Sequence, residues 1–357
     1  MATLREKIGQ MIMIGLKGEE LTQREKRLLR DYPFGGFILF KRNLREPKQI
    51  LSLCRALCES KKELPPFIAV DQEGGRVHRL PAPFTHFPPA AAVGRMRNPD
   101  LAFRVGEAMA RELSAVGINL NFAPVLDVNS NPKNPVIGDR SLSSDPSEVA
   151  RLGWSVTEGL RGGGIIPCGK HFPGHGDTSE DSHLELPIVG KEVAALKAVE
   201  LPPFIHACRH RIESLMTAHV LYPGLDPEYP ATLSRTIINK LLRQEVGYNG
   251  VVFGDDLEMQ AIRKNYPLEE AVTLTVNAGV DVLMFCRETA NSVAAFDFLY
   301  HQAEKNAKMK TRVEESYQRI QTLKQRSLKS FTATGQEELK NILPVHRKIV
   351  DEIQGSL

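Results

Sequence analysis

Residues 165–187 read IIPCGKHFPGHGDTSEDSHLELP, and the change of character within this stretch decides the fold. It opens as an apolar run from Ile165 to Phe172 with little polar alternation, the pattern of a strand buried on both faces of a parallel sheet. From Lys170 onward it turns reactive and continues as a polar loop containing Gly174 and Gly176. Chemistry-bearing side chains therefore stand at the C-terminal end of a buried strand. Outward from this stretch the same pattern recurs as MIMIGL (from Met11), FGGFILF (Phe34), FIAVD (Phe67), INLNFAPVLDV (Ile118), LMTAHV (Leu215), GVVFGDD (Gly250) and VDVLMFC (Val280). Asp71, Asp127, His219 and Asp255 again fall at strand ends. Between the runs lie helical signals. Val105, Met109, Leu113 and Val116 form one stripe that Gly117 ends. Asp145-Pro146-Ser147-Glu148 offers an N-cap, a proline at the first helical position and a capping-box acid.

Eight strands alternating with helices predict an α/β protein with a single (β/α)8 TIM barrel, against the alternative of a doubly wound open sheet. The reactive strand ends favour the barrel, because there they converge on one face, whereas an open sheet would scatter them along an edge. Residues 1–326 are assigned to the barrel, closed by an amphipathic helix carrying Val313, Tyr317, Ile320 and Leu323. Residues 327–357 are read as a linker and a short C-terminal docking helix, too short for a second domain.

The composition excludes several classes of function. Hydrophobic residues make up 42% and charged residues 25%, and the formal net charge is only +3. That balance gives no reason to expect nucleic acid or an anionic membrane as a partner. The five cysteines are odd in number and contain no CxxC pair, so they read as reduced thiols. The apolar run Met11–Leu16 is too short for a signal sequence, and no stretch reaches the length of a membrane span. The expectation is a cytoplasmic monomer that needs no cofactor.

Four segments carry chemistry. Between Lys170 and His183 fall three histidines, two aspartates and a glutamate, a density unusual in a loop that only connects. A metal site is the rival reading there, with His171, His175 and His183 and either Asp177 or Asp181 as ligands. The Phe-Pro-Gly turn, however, keeps His171 and His175 off a common helix face, and HExxH is absent. In VDQEGGRVHRL (Val70–Leu80) a buried strand delivers Asp71, and Gly74-Gly75 permit a turn that returns Arg76 or Arg79 over the site. VIGDRSL (Val136–Leu142) supplies Arg140. In GVVFGDDLEM (Gly250–Met259), Asp255 and Asp256 are strand neighbours, so at most one faces the barrel axis while the other can cap the next helix. A carboxylate aimed into a sugar site suits a nucleophile. No nucleotide-binding glycine fingerprint occurs.

KHFPGHGDT followed by DSHLELP, with VDQEGGRV and VIGDRS upstream and GDDLEM downstream, resembles glycoside hydrolase family three, most closely its NagZ-type branch. FAPVLDVN (from Phe122), TAHVLYPGLD (Thr217), PATLS (Pro230) and NAGVDVLMF (Asn277) keep the same order, over roughly residues 5–290. The resemblance implies a TIM barrel that hydrolyses β-glycosides with retention. In that branch the substrate is terminal β-linked N-acetylglucosamine on anhydro-muropeptides or related oligosaccharides, cleaved during peptidoglycan recycling. It further implies Asp255 as nucleophile, an Asp181–His183 acid/base dyad on a mobile loop, and sugar-hydroxyl contacts from Asp71, Arg79, Arg140, Lys170 and His171. No metal is implied. His78, Gly254 and Leu142 depart from the residues common in the family. The rivals are a β-glucosidase or β-xylosidase, which would draw its acid/base from a second domain, a phosphorylase, and an inactive sugar-binding barrel.

Overall fold

The computed structural model describes residues 2–59, 64–179 and 185–356. The predicted strands form β1 (Ile12–Gly15), β2 (Gly36–Leu39), β3 (Phe67–Val70), β4 (Leu120–Asn121), β5 (Ile166–Phe172), β6 (Ser214–Thr217), β7 (Val251–Asp256) and β8 (Val282–Phe285). All pair in parallel, and β8 returns to β1, so the sheet closes in the order β1 to β8. The barrel expected from the strand ends is the one observed.

The strand interiors are apolar because both faces are covered. Phe67 and Phe122 pack edge-on against Phe253 inside the barrel, with ring centroids 5.7 and 5.5 Å away. Each side chain of this size contributes about 1.5–3 kcal/mol when fully buried. One boundary differs from expectation. The run from Ile118 to Val128 forms only the two-residue strand β4. Pro124 has no N–H to give to a ladder. The chain beyond it still follows β5, with Cys168 N donating to Ala123 O at 2.9 Å and Leu126 N to Lys170 O at 2.7 Å.

The helix Pro99–Ala115 carries the predicted stripe and stops where Gly117 adopts φ +83°. The helix Pro146–Gly162 starts on Asp145, whose carboxylate accepts from Ser147 N. The capping-box acid is not used. Ser143 Oγ accepts from the N-cap N–H at 3.0 Å, and Glu148 instead takes Arg151 at 2.7 Å.

In the helix Ala307–Ser327 the predicted stripe Val313, Tyr317, Ile320 and Leu323 is buried. Its Lys324 closes the barrel floor, donating to Gln10 Oε1 and Gly35 O at 2.7 Å each. A final helix, Gln336–Gly355, lies on Pro99–Ala115 with Leu339, Ile342, Leu343, Ile349 and Ile353 buried. There His346 Nδ1 stands 2.8 Å from Glu112 Oε1. No described helix is long and apolar enough to cross a membrane.

Candidate active site

The C-terminal ends of the strands surround a cavity of about 470 Å³. Asp71, Arg79, Arg140, Lys170, His171 and Asp255 all line it, so six of the eight residues selected from the sequence share one space. The other two, Asp181 and His183, lie outside the described residues.

The floor is a charge network. Lys170, only 2% exposed at the end of β5, places Nζ 2.6 Å from Asp71 Oδ1 and 2.7 Å from Glu73 Oε1. Arg140 meets Glu73 with both arms of its guanidinium, at 2.8 and 2.9 Å. Burial alone would raise the Glu73 carboxyl, but Arg140 and Lys170 reverse the effect and hold it well below its usual range. Lys170 is likewise disfavoured as a cation by burial and then raised by Asp71 and Glu73. Glu73, Arg140 and Lys170 are therefore charged at neutral pH, and their ion pairs with one another and with Asp71 fix the set before a ligand arrives. Polyhydroxylated ligands suit such a floor, because charge-assisted bonds to hydroxyls are strong.

Glu73 was not singled out in the sequence, although its position carried a signal. It stands two residues after Asp71, the spacing that returns a side chain to the same face of an extended segment. The turn that follows places Gly74 at φ +96° and Gly75 at φ +53°. A Cβ at Gly74 would also lie 2.6 Å from Pro88 O. This turn brings Arg79 to the cavity, with its buried Nε unpaired. Arg76 lines the same space but is tied to Asp139 at 3.0 Å.

We expect Glu73→Gln to destabilise the fold by ~3 kcal/mol in denaturant titration, since it leaves Arg140 and Lys170 short of countercharge in a buried setting. The depressed pKa of Glu73 adds stability that is present above pH 4.5 and is lost as pH falls. The variant should accordingly lose less stability than the parent between pH 5 and acid.

Among the described residues three histidines line or back the cavity, and their surroundings separate them. His171 Nδ1 lies 2.7 Å from the buried Asp127 carboxylate, which also accepts from the backbone of His171 and His175. Asp127 thus orients His171 from behind the lining, leaving the opposite ring edge toward the cavity. His175 pairs Nδ1 with Thr178 Oγ1 at 2.9 Å, and burial, helped by His171, lowers its pKa to about 4. It is neutral at pH 7 and cannot serve as the proton donor there. His219 places one ring nitrogen 2.8 Å from Thr232 Oγ1 and the other 3.0 Å from Asp256 O, bracing β6 against β7 behind the lining.

The aspartate pair divides as strand geometry requires. Asp255 is half-buried in the cavity wall. Asp256 is buried, and its Oδ1 accepts from Glu258 N at 3.1 Å and Cys286 N at 3.2 Å. Burial raises its pKa to about 6. Asp256 does not cap a helix, and Glu258 beside it ties down the segment that enters Thr289–Lys305, accepting from Arg287 N, Glu288 N and the Asn291 amide. Among the described residues, no group of three or more His, Cys, Asp or Glu could hold a metal ion.

The chain matches the family model "Glycosyl hydrolase family 3 N terminal domain" over residues 3–323. It is 37% identical to a beta-hexosaminidase of Idiomarina loihiensis over 92% of this chain and 96% of that protein. The solved β-N-acetylglucosaminidase of Paenibacillus sp. superimposes with a TM-score of 0.90 at 39% identity, covering 98% of this chain and 69% of that one. NagZ of Neisseria gonorrhoeae in complex with N-trifluoroacetyl-D-glucosamine gives a TM-score of 0.79 at 32% identity, covering 97% of both chains. The same NagZ has been solved in complex with zinc ion.

Proposed function

Since the chain belongs to glycosyl hydrolase family 3 and is a glycoside hydrolase of the β-hexosaminidase type, we propose that it removes terminal β-linked N-acetylglucosamine with retention of configuration. The observation that carries this reading is the placement of Asp255. Its carboxylate stands in the wall of a cavity whose floor is the fixed set Asp71, Glu73, Arg140 and Lys170. The sugar rests on that floor, with Arg79 and His171 holding further hydroxyls.

In the first step the Asp255 carboxylate attacks the anomeric carbon as the bond to the leaving oxygen breaks, through an oxocarbenium-like transition state. The imidazolium of His183 gives its proton to that oxygen. In the second step neutral His183 takes a proton from water, whose oxygen attacks the anomeric carbon and frees Asp255. Asp181 holds the imidazole in the required tautomer, as a carboxylate does in a hydrolytic triad. A histidine suits both steps because its ordinary pKa of ~6.5 lies near neutral pH. The leaving group in this reading is an anhydro-muropeptide or related oligosaccharide, encountered by a cytoplasmic monomer during peptidoglycan recycling. Product analysis on purified muropeptide, with and without phosphate, tests the reaction. Release of free N-acetylglucosamine in both conditions supports hydrolysis, and a sugar phosphate would replace it with phosphorolysis.

Nitrophenyl N-acetyl-β-D-glucosaminide should be cleaved at least ~100-fold more efficiently than the matching glucoside. A site that engages an amide discriminates strongly against a substrate lacking it. Comparable kcat/KM values would reject the assignment.

Dialysis against a chelator should leave turnover unchanged. Each proposed step moves only protons and one carboxylate bond, and His171 and His175 already engage Nδ1 within the protein. Loss of activity restored by zinc would give those histidines a metal role instead.

A further inference from the structure

At the opposite end of the barrel, where the strands begin, a second cavity of about 650 Å³ opens between the turns before β6 and β7 and the helix Ala307–Ser327. Its lining includes Arg209, Arg211, Arg319 and Arg326, with Glu213 as the single carboxylate among the described residues. The charges around it do not balance. Buried Asp281 is shared by Arg243 at 2.6 Å, Arg312 at 3.0 Å and Arg319 at 3.2 Å. Buried Glu213 is shared by Arg161 at 2.8 Å and Arg326 at 3.3 Å. Arg312 has a further partner in exposed Glu315. Arg209 and Arg211 are exposed and form no ion pair among the described residues.

Among the described residues, five arginines thus share three carboxylates, and Arg209 and Arg211 add unpaired charge to the lining, in a chain whose net charge is only +3. The excess is felt inside the protein. Burial, together with Arg319 and Arg312, lowers the pKa of Arg243 despite its contact with Asp281. The Arg243 guanidinium also donates to Tyr248 O and Gly250 O, both from residues of the cavity lining.

We propose that this cavity is a binding site for a small phosphorylated molecule. Guanidinium forks match phosphate oxygens two at a time, and several converging on one space favour a multiply charged phosphate over a single carboxylate. The volume exceeds that of inorganic phosphate and lies within the range of small-molecule pockets. The charge is gathered in a concavity, not drawn out in a stripe, which favours a compact ligand over a nucleic-acid strand. Asp255 stands at the other end of β7, so occupancy leaves the sugar cavity open.

Calorimetric titration of the full chain with pyrophosphate at low salt tests the site. The expected result is saturable binding to one site, weakened at least ~10-fold by the double substitution Arg209→Gln/Arg211→Asn. Neither residue holds an ion pair, so glycosidase turnover and Tm without ligand should be unchanged. Arg326→Gln should weaken binding in the same direction. The proposal is overturned by absence of saturable heat at millimolar pyrophosphate or by equal affinity in the double variant. Tighter binding of a short oligonucleotide than of pyrophosphate would overturn it too, replacing the pocket with a nucleic-acid face.

Discussion

Asp255→Ala is expected to abolish turnover, lowering kcat by about 10⁵-fold or more, a barrier increase of roughly 7 kcal/mol. The reason is chemical. In the proposed mechanism the carboxylate forms the covalent bond to the anomeric carbon, and the other carboxylates described in the cavity lining are already engaged, Asp71 and Glu73 by Lys170. Lys170 is a cation held between Asp71 and Glu73. Asp256 is turned to the backbone of Glu258 and Cys286. The fold should survive, because Asp255 is half-buried at a cavity wall. Circular dichroism and Tm of the variant check that point, and a fluorinated glycoside should label Asp255 in the parent enzyme. Labelling of Asp256 would show that the pair had been assigned in the wrong order. Asp256→Asn supplies a control. The raised pKa of Asp256 makes its burial costlier as pH rises from 3.8 to about 6. The asparagine variant, which keeps an oxygen acceptor, should therefore be relatively more stable above pH 6.

His183→Ala is expected to slow cleavage of a natural muropeptide by about 10²- to 10⁴-fold, the usual worth of acid–base catalysis. A sugar alkoxide is a poor leaving group and needs the proton. A nitrophenolate leaves without it, so the first step on a nitrophenyl glycoside should suffer far less. The second step still lacks its base, so the glycosyl-enzyme should accumulate and release nitrophenol in a burst. Asp181→Asn should produce a weaker version of the same pattern, because the imidazole remains. Equal slowing of both substrates without a burst would make His183 a structural residue. His175 is a poor substitute, since its pKa of about 4 leaves it neutral. Asp177 is no better placed, being paired with Lys191 at 3.0 Å.

Local pattern carries a long way in this chain, and it fails where distant segments compete for one group. The strands are legible because a strand covered on both faces must be apolar along its length, and this holds from Met11 to Cys286. The strand-end residues Asp71, Lys170, His171 and Asp255 are legible because closing such strands into a barrel gathers their C-terminal ends. The helix start at Asp145 is legible as well. The fate of Glu148 is not, since Ser143 reached the cap N–H first.

What only the tertiary structure decides is which polar groups pair. Glu73 stands between Arg140 and Lys170, residues 67 and 97 positions further along the chain. Asp127 looks as reactive in the sequence as Asp255, yet it lies buried behind His171 as that ring's support. His219 stands at a strand end like His171 but braces two strands. A side chain's residue type sets the chemistry it can perform, and the sequence supplies that directly. Whether it performs that chemistry or holds a neighbour in place depends on which partner desolvation forces it to accept. Those partners come from remote parts of the chain, brought within hydrogen-bonding distance only when the barrel closes.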